Sequence, residues 1–466
     1  TSRLPARALH SGVTSAPLLR RSLEILSDRR GKSLQHQLQQ LSSQGRGGDL
    51  RRVTAWTHGA IRHRRTLGAV LGTVAKRALK GKSDRVLGLL ELLAFRALFS
   101  AESLDELLAD LKRVGESKKV AAHVERVLTA LEAAIAERVE WTPEAERRDD
   151  LLPLSRSEAL RFKKPLLGVE QRRPSTRLAI LYSLPDALVE AWVTAQGEEV
   201  AAELCRAAND GAPIFVRACS LKTDAATLLA RLAEDEITAT RVEGAPQALR
   251  LDEGRWRFRH TDAWREGTFL VQDLTAQRVA PLVAPEPGER ILDLCAAPGG
   301  KATHLAELSG DQAQIVACDL KPNRLRKIEQ NTERLGITSI ETRRHDARYA
   351  SLDFASEEPF DAILLDAPCS NTGVLRRRSE ARWRYDLSSQ RRIHSTQAEL
   401  LRAALPLVRP GGRLVYSLCS IEVDEGHEQV AKLCEEHPNL ILEHEELWLP
   451  TPGGGDGGYA ARLRVG

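Results

Sequence analysis

The sequence predicts a multidomain fold in which an all-α N-terminal bundle precedes a Rossmann-like α/β domain with a mostly parallel sheet. Three observations predict it. The chain has 466 residues, more than one hydrophobic core ordinarily organises. Residues 18–140 carry apolar side chains at helical spacing, with no strand signal between them. From residue 266 onward, short apolar runs alternate with helical segments, the rhythm of a parallel sheet covered on both faces.

Taken in order, residues 1–140 read as the bundle. Leu87, Leu90, Leu93 and Ala94 fall on one helical face after Ser83-Asp84. Ser103 and Glu106 have the spacing of a capping box, in which each satisfies a backbone donor near the other. An Ala-rich amphipathic helix is expected over 118–139. Residues 141–175 shift to Pro, Arg, Asp and Ser without periodicity and read as a linker. Residues 176–265 predict a small α/β subdomain: helices near 184–195 and 198–208, a strand at 214–217, a helix at 225–233 and a strand near 238–242. Residues 266–466 predict the main α/β domain, with strands at 290–294, 315–318, 341–344, 362–365 and 413–418.

Composition narrows the class. Hydrophobic residues make up 42% and charged residues 28%, as in a soluble globular protein. No apolar run approaches the ~20 residues that span a bilayer, and no secretory segment is expected. Residues 1–100 hold 19 Lys+Arg against 5 Asp+Glu, while the remainder is net acidic. A basic block on an acidic body predicts a polyanionic partner, because neutralising phosphates releases counterions. The first acidic residue is Glu24, and the Arg- and Ser-containing stretch before it reads as a disordered basic arm. Seven cysteines (205, 219, 295, 318, 369, 419 and 434) form no CxxC pair and no zinc spacing. Reduced thiols, a cytoplasmic location and no metal are therefore expected.

The first strand of the main domain runs into Asp293-Leu294-Cys295-Ala296-Ala297-Pro298-Gly299-Gly300-Lys301 and then a helix. Small residues let backbone approach a ligand, and the helix N-terminus is electropositive. A triphosphate loop would need Gly at 295 and Ser or Thr at 302, where this chain has Cys295 and Ala302. The dinucleotide fingerprint GxGxxG is absent too. The second strand ends at Asp319, placed to accept hydrogen bonds from ribose hydroxyls, and the third at Asp346, near an expected adenine. A small-residue loop with two strand-end acids predicts an adenosyl ligand without phosphates, which S-adenosylmethionine fits.

The fourth strand ends in Asp366-Ala367-Pro368-Cys369-Ser370-Asn371, and the fifth in Tyr416-Ser417-Leu418-Cys419-Ser420. A switch point between strands one and four would make these ends neighbours. Two cysteines and Asp366 would then meet beside the cofactor loop. Carbon 5 of cytosine is a poor nucleophile until a thiolate adds to carbon 6. One cysteine would serve as that nucleophile and the other would assist proton removal or release. Asp366, if protonated, would hydrogen-bond the N3 side of the ring. The target base would have to leave any stack. Arg376, Arg377 and Arg378 with Arg382-Trp383-Arg384 would grip phosphate at the lip.

These segments carry a resemblance to a known family. VQDLTAQ (271–277), DLCAAPGGKATHL (293–305), ACDLKPNRL (317–325), HDAR (345–348), LLDAPCSNTGVLRRR (364–378) and PGGRLVYSLCSIEVDEG (410–426) resemble the bacterial ribosomal RNA cytosine-C5 methyltransferases of the Sun/Fmu/RsmB type, relatives of the NOL/NOP2/Sun proteins. The N-terminal helices, with AWTHGAIRHRR (55–65), are similar to the NusB-like RNA-binding domain found in that type. The resemblance implies Cys419 as nucleophile and Cys369 as the release-assisting cysteine. It also implies a cofactor pocket lined by 295–301, Asp319, Arg324, Asp346 and Asp366. The expected partner is RNA, small-subunit ribosomal RNA or an assembly intermediate, with the protein a monomer. Three departures stand out: Leu418 where Thr is usual, Asn371 where Gly or Ser is usual, and 217–222 reading RACSLK rather than RVNTLK. The rival readings are a non-catalytic RNA-binding ribosome-assembly factor and a DNA cytosine methyltransferase. The latter class uses the fourth-strand cysteine as its nucleophile.

Overall fold

The computed structural model describes residues 16–28, 48–75, 79–170, 172–252 and 258–466. The basic arm expected at the N-terminus lies largely outside them. The chain divides into two compact units, one of residues 1–211 with 378–385, the other of 212–377 with 386–466.

In the first unit, helices Ala16–Ser27, Gly48–Arg62, Arg64–Val74, Asp84–Phe99, Leu104–Val114 and Lys118–Ala134 follow one another. Leu19, Leu23, Leu26, Leu90, Leu93 and Leu107 are buried between them. Ser103 and Glu106 form the capping box in both directions. Arg96 is buried over the Trp56 ring and ion-paired with Glu102 and Asp110, so its charge is matched inside the bundle.

The helix that begins at Lys118 stops at Ala134, and an antiparallel sheet follows. It comprises β1 (Ile135–Glu140), β2 (Leu151–Pro153) and β3 (Glu158–Phe162), in the order β1-β3-β2. This corrects two expectations, a helix to 139 and an unstructured linker over 141–175. Trp141, Leu151 and Ala159 pack together, and β3 supplies the non-local partner that draws 135–140 out of the helix. Helices Pro174–Leu181 and Asp186–Ala207 complete the unit, the second broken at Gly197, where φ is 84°. That break separates the two helices expected there.

The second unit opens with an antiparallel sheet of β4 (Ile214–Ala218), β5 (Ala239–Arg241), β6 (Ala248–Leu251) and β7 (Phe269–Val271), ordered β5-β6-β4-β7. Neither β6 nor β7 is among the expected strands, and β7 lies past the anticipated subdomain boundary at 265.

The main sheet has seven strands: β8 (Arg290–Asp293), β9 (Gln314–Asp319), β10 (Ile340–Arg344), β11 (Phe360–Asp366), β12 (Val408–Leu418), β13 (Leu440–Trp448) and β14 (Gly458–Val465). Their order is β10-β9-β8-β11-β12-β14-β13. β8 to β12 pair in parallel, while β14 pairs antiparallel with β12 and β13. Ile291, Leu292, Ile363, Leu364, Leu365, Leu414 and Val415 are wholly buried, the continuous apolar run of strands covered on both faces. The first strand of this sheet lies between the second and the fourth, so the switch point falls between β8 and β11. Ligands of open α/β sheets bind at such a point, beyond the carboxyl ends of the strands.

Candidate active site

The loop from β8 wraps closely over the end of β9. Ala296 N–H donates to Cys318 O at 2.8 Å. Gly299 takes φ 97° as it enters the helix Gly300–Leu308, and a Cβ there would press on Ile328 at 3.2 Å. Only glycine meets both demands without strain. Arg324 donates to Ala297 O and pairs with Asp319 at 3.2 Å. It thus ties the loop to the next strand end. Asn331 donates to Pro298 O at 3.0 Å.

The acids at the strand ends differ in state. Asp293 is fully buried, and its carboxylate oxygens meet no donor among the described residues in good hydrogen-bond geometry. Burial, then the nearby charge of Asp366, pushes its carboxyl up to about 8. Asp319 is buried and accepts from the Lys321 N–H at 3.0 Å. Asp346 is paired with Arg348 at 2.6 Å, which holds its carboxyl below the usual range. A buried carboxyl group beside a loop of Ala and Gly leaves room for a ligand without phosphates. The residues expected to hold the cofactor, 295–301, Asp319, Arg324 and Asp346, therefore gather at β8, β9 and β10.

At the other side of the switch point, Asp366 on β11 stands opposite Ser417 on β12, whose hydroxyl donates to Asp366 Oδ1 at 2.8 Å. Lys301 Nζ lies 2.7 Å from Asp366 Oδ2. Burial alone would lower the Lys301 pKa, but Asp366, then Cys419 and Asp293, raise it overall. Lys301 is thus a cation within electrostatic reach of Cys419, a role its sequence position inside the glycine loop did not reveal.

The two thiols meet. Cys369 Sγ and Cys419 Sγ are 3.2 Å apart. The hydrogen bond to Cys419, then burial, then the charges of Cys419 and Glu425 drive the Cys369 thiol well above its ordinary value. Asn371, at φ 64°, donates to Cys369 O at 2.7 Å and accepts from Cys419 Sγ at 3.4 Å. An Asn side chain tolerates that left-handed backbone. Leu418, the departure beside Cys419, is buried in the core below the site.

Three of the five arginines expected at the lip are turned to partners inside the protein, while Arg378 and Arg384 stay exposed. Arg376 is buried and bound to Asp456 Oδ1 and to the carbonyls of Thr451 and Gly454. Arg377 pairs with Asp456 and Asp273. Arg382 is fully buried in the first unit, donating to the carbonyls of Arg62, Ser183 and Ala208 and to Asn209 Oδ1. Trp383 Nε1 donates to Ile61 O at 2.8 Å. These cations satisfy backbone and carboxylate acceptors within the protein, which leaves them unavailable for phosphate.

Sequence reasoning also missed Arg217 on β4. Its side chain and that of Glu307 are fully buried and paired at 2.6 Å. Arg217 further donates to Gly300 O at 2.8 Å and Thr303 Oγ1 at 3.1 Å, so it braces the first turn of the helix behind the glycine loop. An Arg in a short strand gives no sign of this, because its acceptors lie more than 80 residues away. Among the described residues no cluster of His, Cys, Asp or Glu is arranged to hold a metal ion, and no helix is long and apolar enough to cross a membrane.

Residues 280–454 match the family model described as 16S rRNA methyltransferase RsmB/F, and residues 184–255 match that of an RsmF/B-like ferredoxin-like domain. Together they take in more than half the chain. Over 269 residues the chain is 39% identical to a probable ribosomal RNA small subunit methyltransferase B of Synechocystis, covering 58% of this chain and 60% of that one. Over 267 residues it is 35% identical to the Bacillus subtilis protein of the same description, covering 57% and 59%. The chain thus spans about three-fifths of the length of these curated relatives. Among solved structures, "Crystal Structure of PH0851" matches with a TM-score of 0.75 at 24% identity, covering 97% of this chain and 100% of that one. NSun6 from Pyrococcus horikoshii with SFG matches with a TM-score of 0.54 at 22% identity, covering 61% and 99%. At these identities the two structures speak to the fold.

Proposed function

We propose that this chain, which belongs to the RsmB/F family of methyltransferases, methylates carbon 5 of a cytosine in small-subunit ribosomal RNA, with Cys419 as the nucleophile. The observation that carries the reading is the pair of thiols 3.2 Å apart at adjacent strand ends, beside a glycine loop at the sheet's switch point.

The curated relatives, described as ribosomal RNA small subunit methyltransferases, supply the substrate class. Family membership and the shape of the loop support S-adenosylmethionine as cofactor, in keeping with the SFG held by NSun6 from Pyrococcus horikoshii. Residues 295–301, Asp293, Asp319, Arg324 and Asp346 would hold it. When bound, it supplies a methyl group on a sulfonium for transfer to carbon 5.

The protein's own groups divide the remaining work. The Lys301 ammonium favours a thiolate on Cys419, since the two charges stabilise each other. That thiolate adds to carbon 6, which makes carbon 5 nucleophilic. Lys301, paired with Asp366, has a proton to offer the N3 side of the ring. The carbon-5 proton then passes to water as the carbon 6–sulfur bond breaks, and the sulfur leaves as the Cys419 thiolate that began the cycle. Cys369 stays a thiol under the influence of Cys419 and Glu425, and it stands 3.2 Å from the leaving sulfur. The basic N-terminal 100 residues and the antiparallel sheet β4–β7 are proposed to bind RNA, the first as a NusB-like module.

The test is transfer of labelled methyl from S-adenosylmethionine to unmethylated small-subunit ribosomal RNA, with nucleoside analysis and Cys419→Ala in parallel. Label in 5-methylcytidine that vanishes in the variant is expected. Absence of label from any RNA, with cofactor still bound, would instead make the chain a non-catalytic assembly factor.

A further inference from the structure

Glu425 lies six residues beyond Cys419 in the turn that follows β12, and its side chain is fully buried. Its carboxylate reaches three neutral donors. Ser370 N–H donates to Oε2 at 3.0 Å, Gln397 Nε2 to the same oxygen at 3.0 Å, and Ser420 Oγ to Oε1 at 2.9 Å. Ser370 directly follows Cys369, and Ser420 directly follows Cys419. One carboxylate therefore grips the two turns on which the thiols are mounted, and each turn is gripped one residue past its cysteine.

The grip is reinforced on every side. Ser370 Oγ and Ser420 Oγ are 3.0 Å apart. Gln397, on the helix Leu387–Ala404, also donates to Pro368 O at 3.0 Å, just ahead of Cys369. Tyr416 Oη donates to the Glu425 carbonyl at 3.0 Å, which fixes the turn against β12. Burying a carboxylate is costly unless its lone pairs are met. A turn that needed only closure could use a neutral residue for the purpose. An ionised group is a stronger acceptor and can hold several donors at once in fixed directions.

We propose that Glu425 is a positioning residue that sets the separation of Cys369 and Cys419 by clamping Ser370 and Ser420 to a single carboxylate. The proposal rests on the two-thiol reading above. Glu425 is hydrogen-bonded to the residues that follow the two cysteines, so its effect passes through the two serines. Its negative charge also disfavours a thiolate on Cys369, in keeping with the assignment of that cysteine as the proton-bearing partner.

The experiment reads thiol spacing separately from methyl transfer. Full-length wild type, Glu425→Gln and Ser420→Ala are treated with diamide, which takes up the two thiol hydrogens as the Cys369–Cys419 disulfide forms. The rate of that bond is followed by peptide mass mapping. Glu425→Gln keeps the shape but turns an amide N–H₂ toward donors, and Ser420→Ala removes one arm of the clamp while leaving the charge. The expected result is slower disulfide formation in both once each rate is referred to the thiolate fraction of Cys369 in that variant, because loss of the Glu425 charge by itself would speed the reaction. Turnover should fall by about 10²-fold in Glu425→Gln and about tenfold in Ser420→Ala, with cofactor Kd and RNA KM within about twofold of wild type. Disulfide formation at the wild-type rate on that basis in both variants overturns the proposal, whatever happens to turnover. Loss of cofactor binding in step with turnover overturns it as well, because the residue would then be supporting the domain at large. If Glu425→Gln fails to fold, Ser420→Ala decides alone. Slower disulfide formation in a protein that methylates no RNA sustains the clamp and overturns only the function proposed for it.

Discussion

Cys369 Sγ stands 3.2 Å from Cys419 Sγ, although 50 residues separate them in the chain. At that distance one sulfur can hand a proton to the other, so removing each should arrest a different step. Cys369→Ala is expected to accumulate a covalent protein–RNA complex, with turnover lowered by roughly 10²–10⁴-fold. Cys419→Ala should form no such complex. Denaturing gels with labelled RNA separate the two, and complex formation by Cys419→Ala would reverse the assignment.

Lys301 and Asp366, 2.7 Å apart, should behave as one unit. Lys301→Met and Asp366→Asn are each expected to lower single-turnover methyl transfer by about 10²-fold or more. The double variant should lie close to the worse single variant, since groups acting together are not additive. Multiplicative losses would show that the two act independently.

The Arg217–Glu307 pair is fully buried, so breaking it from one side strands a charge. Arg217→Met should cost about 3–5 kcal/mol of stability, while Arg217→Met with Glu307→Leu should recover much of that loss. Urea unfolding of the three proteins measures this, and a double variant as unstable as the single one would contradict it.

Asp293 gives stability a pH dependence of definite sign. Its folded-state value is about 8, against about 3.9 in an unfolded chain. Below about pH 4 the group is protonated in both states. As pH rises from there toward about 8, the unfolded chain sheds a proton that the folded protein retains, so stability is progressively lost. Above about 8 the loss is complete. Asp293→Asn lacks this titration, so the stability of wild type relative to the variant should fall over that window and then level. Unfolding curves from about pH 4 to about 9 test this, and a difference that stayed flat or rose would refute it.

The strand ends were legible because each is written locally. The runs into Asp293, Asp319 and Asp366 are apolar, and then turn polar at the point where the sheet stops. β13, by contrast, carries His444 and three glutamates at 443, 445 and 446 on exposed or half-exposed positions of the sheet's outer strand, a pattern without the apolar signal of a covered strand. Ile135–Glu140 follows an Ala-rich helix and has residues that suit its continuation, so only its pairing with β3 betrays it. The arginines after Cys369 looked like a phosphate grip because their acceptors were not visible in the sequence. Asp456 lies 80 residues from Arg376, and the Ser183 and Ala208 carbonyls that Arg382 binds belong to backbone. Glu425 was visible inside the segment 410–426, but its three donors come from three separate segments.

The short stretch 378–385 has a consequence for anyone who would cut this protein in two. The chain passes between its two units at three places, after residues 211, 377 and 385. A fragment beginning at 212 would keep those eight residues but lose the carbonyls of Arg62, Ser183 and Ala208 that accept from Arg382. It would carry a bare guanidinium and an unseated indole on a tongue that starts nine residues past Cys369. The second unit is therefore not a detachable cassette, and a minimal version would need that tongue redesigned along with the cut.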